Sequence, residues 1–351
     1  MSYQGQAETQ AIENIRRVIR KRGDELRARY PFLQHQNLLG LLIFSFSAAG
    51  VVLCGMAYWQ GYMPAWLCIV LVAMLTSLLH EIEHDLIHWQ YFRRHKIIHH
   101  AMMLGVWLLR PGTINPWVRR HLHFLHHKTS GTQRDIEEVG IGNGRRYGGL
   151  RFWIMADTFL GNVVRTLVEG DTHYSRGMML LRIIGANFPL GLATAFIWYG
   201  FLGFHALNIG AALAGMDMQW SAATQAYFAW ADKFVVVLIA PFYLRSFCLN
   251  FISSNMHYFG NVNSLLQQTQ VLNAPLFWPF QLFCFNFGST HGIHHFVVGE
   301  PFYIRQMTAS AAHRVMRENG VKFNDLNTFA RANRYAAAPE QNVQPDLTQG
   351  I

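Results

Sequence analysis

The sequence has 351 residues, of which 51% are hydrophobic and only 14% are charged. About a quarter of the residues in soluble domains are charged, so this composition predicts a membrane protein and argues against an ordinary soluble domain. The formal net charge is +9, but the basic residues form no nucleic-acid motif, and nucleic acid is not an expected partner.

The N-terminal segment, residues 1–36, is polar and basic. Seven arginines and lysines lie between Ala11 and Arg29, and the apolar residues among them have helical spacing. Two interpretations remain open, an amphipathic helix on an anionic leaflet and a solvated basic tail that only sets orientation. We treat this segment as a separate cytosolic element that precedes the main domain, residues 37–335.

Four apolar stretches are candidates for crossing a hydrocarbon core of about 30 Å. The second runs directly into His80, and because the backbone must stay hydrogen-bonded in lipid, we expect its helix to continue past the membrane. Pro189 interrupts the third. The fourth contains Arg245, which is expected either to line a substrate cavity or to reach the lipid headgroups. The stretches are residues 37–59, 65–79, 181–204 and 234–252.

The polar sections between and after these spans contain further elements. Within residues 81–177, the apolar stretch 102–109 is too short to cross a membrane and is expected to lie in the interface or under the domain. An aromatic stretch at 276–287 predicts a buried or interfacial helix. Residues 336–351 are expected to be disordered.

Arginine and lysine are distributed unevenly between the predicted loops. The N-terminal segment has 7, residues 81–177 have 13 and the residues after 253 have 6, whereas the links 60–64 and 205–232 have none. This asymmetry predicts a multi-pass protein of the cell inner membrane with both termini cytoplasmic.

Three histidine boxes carry the chemistry. His80 and His84 are four residues apart and share a helix face. Two copies of the pattern HxxHH follow, and on a helix the adjacent pair of each copy diverges by about 100°, so that it can address two ions. The copies consist of His123, His126 and His127 and of His291, His294 and His295.

The number of histidines predicts a dinuclear site. Eight exceed the four ligands of a structural zinc, and neutral imidazole suits iron, zinc, copper and nickel. His88 continues the stripe of the first box; we interpret it as a surface residue or a neighbour of the ligands, and a third ligand in this box is the alternative. The acids that alternate with this box either hold the ligating imidazoles or form a solvated helix face; they are Glu81, Glu83 and Asp85.

The order HxxxH, HxxHH, HxxHH, with spans before the first box and between the last two, resembles the integral-membrane fatty acid desaturase superfamily. The resemblance covers residues 37–300. The sequences of the first two boxes, HEIEHDLIH and HLHFLHHKTSGT, are similar to those of the branch that converts free fatty acids to terminal 1-alkenes. The resemblance implies an all-α fold with about four transmembrane helices and a cytosolic helical cap that carries the boxes.

The same resemblance implies two iron ions (Fe²⁺), held by the eight histidines and by a ninth that matches His257. Related desaturases often have an asparagine four residues before this histidine, where the present sequence has Ser253. The implied activity is O₂-dependent hydrogen abstraction from a fatty acid or acyl chain. Desaturation is the first expectation, and decarboxylation to a 1-alkene and hydroxylation are the alternatives.

The substrate and partners follow from this chemistry. A carboxylate near the irons needs a cation, for which Arg110 and Arg245 are candidates, although positive-inside anchoring also explains Arg110. The sequence has no electron-carrier motif, so an external ferredoxin or rubredoxin with its reductase is the expected donor, and the lipid bilayer is the expected environment. The competing class is a metal transporter, which would place its ligands near the bilayer midplane.

Overall fold

The computed structural model describes residues 3–169 and 175–336, so almost all of the tail that was predicted to be disordered lies outside the described residues. Within these ranges the chain is helical, and β-structure is limited to two isolated bridges. Short 3₁₀ turns occur at Pro31–Gln34, Leu265–Gln267, Pro275–Phe277 and Leu326–Phe329. The α-helices are α1 (Tyr3–Arg29), α2 (Gln36–Trp59), α3 (Ala65–Ile87), α4 (Lys96–Leu109), α5 (Pro116–Thr129), α6 (Ile136–Gly140), α7 (Gly149–Ala156), α8 (Thr158–Glu169), α9 (Arg176–Asn187), α10 (Leu190–Leu213), α11 (Ala222–Phe234), α12 (Ala240–Met256), α13 (Trp278–Gln281), α14 (Phe287–Phe296) and α15 (Phe302–Glu318).

Four helices are long and apolar enough to cross a membrane, which confirms the expected all-α membrane fold. They are Gln36–Trp59, Ala65–Ile87, Leu190–Leu213 and the continuous helix Ala222–Met256. The last would be about 52 Å long at 1.5 Å per residue, so it projects well beyond a hydrocarbon core. A π-helical turn, Val235–Ile239, joins α11 to α12 just before Pro241, which cannot donate a backbone hydrogen bond.

The second span continues past its apolar stretch as predicted, and α3 carries the first histidine box to Ile87. The third and fourth spans differ from the prediction. The chain does not pass Pro189 as one helix, because proline disfavours helical conformation at the preceding residue and lacks the backbone N–H. α9 therefore ends at Asn187, and the spanning helix α10 begins at Leu190. The fourth span starts at Ala222, which shortens the predicted link 205–232 to residues 214–221.

The aromatic stretch before the third box is also not one helix. It consists of a 3₁₀ turn and the four-residue helix α13, and Phe285 and Asn286 then take positive φ angles of 47° and 59°. Pro275 and Pro279 are tolerated only in the first turn of a helix, which prevents a continuous helix here. The third box has its own helix, α14.

The N-terminal helix α1 packs mainly against α15 and also contacts the box-three helix α14, and neither sequence interpretation of this segment holds. Ile15 and Ile19 are buried against Ile293, Phe296 and Met316. The apolar face of α1 is thus covered by protein and does not face a leaflet, and the helix is not a solvated tail.

Ile19→Ala is expected to destabilise the protein by about 2–5 kcal/mol, because it leaves a cavity behind α14. The thermal melting temperature of the purified protein measures this loss. The matched variant Arg20→Ala changes an exposed neighbour and is expected to stay within about 0.5 kcal/mol of wild type. Equal melting temperatures for the two variants would contradict the packing of α1.

The short apolar helix α4 was predicted to lie either in the membrane interface or under the domain, and it has one face suited to each position. Met102, Met103 and Val106 are buried against the second span, whereas Ile97 and Leu104 are exposed. Such a two-faced helix is suited to the membrane interface.

Candidate metal centre and cavity

Four elements bring eight histidines into two adjacent groups of four. Box one lies on α3, box two on α5 and box three on α14, and His257 caps the C-terminal end of α12. Within each group, the potential ligand atoms all lie within 4.8 Å of one another. The first group is His84, His88, His123 and His294, and the second is His126, His257, His291 and His295.

The helical spacing of the boxes distributes their histidines between the groups. On α5, His123 belongs to the first group and His126 to the second. On α14, the adjacent residues His294 and His295 diverge and belong to different groups, as a 100° step between neighbouring helical residues dictates.

The donor atoms fit metal ions. In the second group, His295 Nε2 lies 3.3 Å from both His257 Nε2 and His291 Nε2. Two unprotonated imidazole nitrogens repel at this distance, and one N–H can satisfy only one of its neighbours. Moreover, His84 Nε2 and His126 Nε2 are buried and have no hydrogen-bond partner among the described residues. A cation between the rings would resolve both conditions.

The imidazoles are held in the form that binds metal. Burial lowers the pKa of His126 and of His127 to about 3. Burial likewise lowers the pKa of His295 well below its ordinary value, and neighbouring histidines lower it further. These rings are therefore neutral at neutral pH, as metal ligation requires.

Carboxylates from one short segment help to orient the rings. Glu137 and Asp135 accept from the Nδ1 atoms of two histidines and so fix the proton there, which leaves Nε2 free to bind metal. His257 Nδ1 donates to the backbone carbonyl of Ser253 at 3.0 Å, and Glu138 lies beside this pair and accepts from Ser253 Oγ. The segment is Asp135-Ile136-Glu137-Glu138, directly after box two. The distances are 2.8 Å from His123 Nδ1 to Glu137 Oε2, 2.8 Å from His126 Nδ1 to Asp135 Oδ2 and 3.2 Å from His257 Nδ1 to Glu138 Oε1.

The acids of box one do not perform this task, which corrects both sequence interpretations of them. They are buried and therefore form no solvated face, and their partners are arginines. Glu83 pairs with Arg110 and Arg119, and Asp85 pairs with Arg305. The sequence signal for the true partners was a cluster of acids a few residues after a histidine box, to which no role was assigned.

Asp135→Asn is expected to weaken iron binding about 10–100-fold, because the amide no longer orients His126 as a carboxylate does. Competition with a chelator, followed by metal analysis, measures the affinity. Glu318→Gln removes an exposed acid far along the chain and serves as the control. Unchanged iron retention in the Asp135 variant would contradict the role assigned to this segment.

Three histidines are placed differently from the sequence interpretation. His88, read as a surface or neighbouring residue, is a full member of the first group. His80 belongs to neither group, and its Nδ1 lies 3.5 Å from Arg110 and 3.4 Å from Arg119. His127 also belongs to neither, although its Nε2 lies 3.2 Å from His123 Nε2 and 3.1 Å from His294 Nε2.

A cavity of about 560 Å³ adjoins the histidines, a size suited to a ligand with many carbon atoms. Members of both groups line it, together with His80. Its walls are largely apolar and include Val118, Leu122, Ile141, Phe242, Leu249 and Phe287.

Both predicted substrate-binding arginines line this cavity, but their surroundings differ. Arg110 is paired with Glu83. Arg245 is only 2% exposed, so it does not reach the headgroups. Its Nη2 donates to Ser246 Oγ at 3.0 Å, while its Nε and Nη1 have no partner and no carboxylate forms an ion pair with it in the described part of the chain. An unpaired buried cation is costly, and Arg245 therefore has unused donor capacity in the wall of the cavity.

Comparison with known proteins identifies the family. The model of the family described as "Fatty acid desaturase" matches residues 60–327, most of the chain. The chain belongs to this family and is a membrane oxidoreductase whose expected substrates are fatty acids or other lipids. The family uses iron, which agrees with the two histidine groups. A search of curated proteins returned no significant match.

Proposed function

We propose that the protein holds one iron ion in each histidine group and uses O₂ to convert a saturated carbon–carbon bond of a fatty chain into a double bond. The observation that carries this proposal is that both four-histidine groups contribute to the wall of one largely apolar cavity. When bound, the irons supply an oxidant able to abstract hydrogen from an unactivated C–H bond. Desaturation consumes one O₂, two electrons and two protons and releases two waters.

The chain's own residues hold the substrate and exclude water. Phe287 stacks on His291 with ring centroids 4.0 Å apart and contacts His80, so an apolar ring covers the second group from the cavity side. Leu249 and Leu122 continue the apolar wall. Such a wall fixes a methylene chain next to the site and keeps bulk water from it.

The second candidate is oxidative decarboxylation of a free fatty acid to a terminal 1-alkene, and Arg245 favours it. An unpaired buried guanidinium near His80 would hold a carboxylate close to the histidines, which brings the carbon β to the carboxyl group within reach. Hydrogen leaves this β carbon, the bond between the α carbon and the carboxyl carbon breaks, the double bond forms between the α and β carbons, and CO₂ departs. The reaction consumes one O₂, two electrons and three protons for each carboxylate and releases two waters with the alkene and CO₂.

Mass spectrometry of products, headspace included, tests the proposal. The iron-loaded protein is supplied with dodecanoic or hexadecanoic acid, or with their thioesters, together with O₂ and a reducing system. A product two mass units lighter that retains its carboxyl group supports desaturation, and a volatile 1-alkene one carbon shorter supports decarboxylation. A hydroxylated product alone, or unchanged substrate with a fully iron-loaded protein, would refute both.

The electron donor is proposed to be a small acidic carrier such as a ferredoxin or rubredoxin. The sequence has no acidic residue between Asp85 and Asp135, and Arg93, Arg94 and Lys128 of this stretch are exposed. His88, a half-buried member of the first group, lies 5.4 Å from the exposed ring of Phe124. A basic surface in the same stretch of chain as this half-buried histidine would attract an acidic carrier.

Charge reversal of Arg93 and Arg94 to glutamate is therefore expected to raise the KM for a reduced ferredoxin about tenfold and to weaken the salt dependence of the rate. Steady-state assays at several salt concentrations measure both. Reduction of the irons by a small chemical reductant is the control and is expected to be unchanged. An unaltered KM for the carrier would contradict this docking surface.

The membrane orientation also belongs to this proposal. Four candidate crossings support an arrangement with both ends of the described chain on one side, and the positive-inside distribution favours the cytoplasmic side. We place the protein in the cell inner membrane on the same grounds.

A further inference from the structure

The cavity extends from the histidines into the membrane-spanning part of the fold. Gly191, Thr194 and Ala195, in the first turns of α10, line it. From the other side, Phe242 and Ser246 of the long fourth spanning helix line it. Both helices are long and apolar enough to cross a membrane. This end of the cavity therefore lies at the depth of the bilayer and not above its surface.

The outer surface beside these residues is apolar and uncovered. Phe188 is 62% exposed and Phe196 is 76% exposed, and they flank the cavity-lining residues of α10 on both sides along the chain. Large apolar side chains exposed next to the start of a spanning helix face lipid. Since Gly191 and Ala195 are small, the wall between this lipid-facing surface and the cavity is thin.

Helix α9 forms the rest of this wall and has two distinct faces. Met179, Ile183 and Ala186 line the cavity, whereas Leu181, at 65% exposure, and Ile184 point outward. An apolar outer face is typical of a helix that lies in the membrane interface. The backbone bond from Asn115 N to Ala186 O, 2.8 Å, fixes its C-terminal end.

We propose that the substrate is a membrane-dissolved fatty acid that enters the cavity sideways from the bilayer, between α9 and the first turns of α10. This inference rests on the proposed function and adds the physical state of the substrate and its route. Arg182 is exposed yet also lines the cavity, so it lies at the entrance, where a carboxylate at headgroup level would pass it. The chain would then extend into the apolar cavity toward the histidines.

Surface dilution tests the route. The protein is reconstituted in phospholipid vesicles with a fixed total amount of hexadecanoic acid, below saturation. Because a long acid partitions into the bilayer, about tenfold more phospholipid lowers its mole fraction there and is expected to lower the rate about tenfold. Octanoic acid, which partitions weakly, is expected to show little change. A hexadecanoic acid rate that is indifferent to phospholipid would overturn the inference.

A pair of variants tests the position of the entrance. Ala195→Phe would narrow it and is expected to lower kcat/KM for hexadecanoic acid about tenfold, while kcat at saturation and iron content stay near wild type, because only entry is slowed. Ala193→Phe makes the same change on the exposed side of α10 and is expected to leave the kinetics unchanged. A fall in kcat without a fall in kcat/KM would place Ala195 away from the entrance and overturn the inference. Absence of any fatty acid oxidation by the iron-loaded wild type would instead refute the proposed function.

Discussion

Replacement of His88 by alanine is expected to remove about half of the bound iron and to lower turnover by about a hundredfold or more, because the first group then has three imidazoles in place of four. His88 is a member of this group, and its Nε2 lies 3.1 Å from His294 Nε2. Metal analysis of the purified variant gives the iron content, and product formation from a fatty acid gives the turnover.

The control for this prediction is His121→Ala. His121 is exposed on α5, two residues before box two, and lies in neither group. It is expected to keep its iron content and its activity. Should the His88 variant retain the iron content and turnover of wild type, the sequence interpretation of His88 as a surface or neighbouring residue would be restored.

Replacement of Arg245 by methionine is expected to lower kcat/KM for a free fatty acid by about 10–100-fold, because hydrogen bonds from a charged group to a carboxylate contribute about 1.5–3 kcal/mol. Arg245 lines the cavity, and its buried Nε and Nη1 atoms have no partner among the described residues, which is the reason for choosing it. Kinetics with a fatty acid and with its methyl ester separate the loss of carboxylate binding from any loss that affects the rest of the substrate. The ester is expected to lose little, since it has no anion to bind.

Stability changes distinguish Arg245 from its neighbour Arg110. Removal of an unpaired buried charge relieves a desolvation cost, so Arg245→Met is expected to raise the melting temperature. Arg110→Met is expected to lower it, because Glu83 loses one of its two cationic partners. The Arg245 variant is compared directly with wild type in its kcat/KM for the free acid. Equal values would exclude a carboxylate site at Arg245, and the melting temperatures would not change that conclusion.

Much of the architecture was predictable because it depends on local periodicity. The apolar runs predicted the four crossings, and the extension of α3 past its apolar stretch followed from the need to keep its backbone hydrogen-bonded. Two of the errors in helix bounds occurred at prolines, before α10 and in the aromatic stretch before the third box. Pro189 separates α9 from α10, and this break makes α9 available as a wall of the cavity.

The sequence by itself determined that the histidines of each box share helix faces, because spacings of three and four residues place side chains on one side of a helix. Only the tertiary structure decided which histidines meet. His88 joins the first group while His80 faces two arginines, although both continue the same stripe of α3. Their separation along the helix is fixed locally, but the position of α5 and α14 against that helix depends on contacts between distant parts of the chain. The same long-range packing buries Arg245 with no carboxylate partner in the described ranges and brings Asp135 to His126. Spacing therefore fixed the donor faces, and the packing of separate helices determined which of those donors converge.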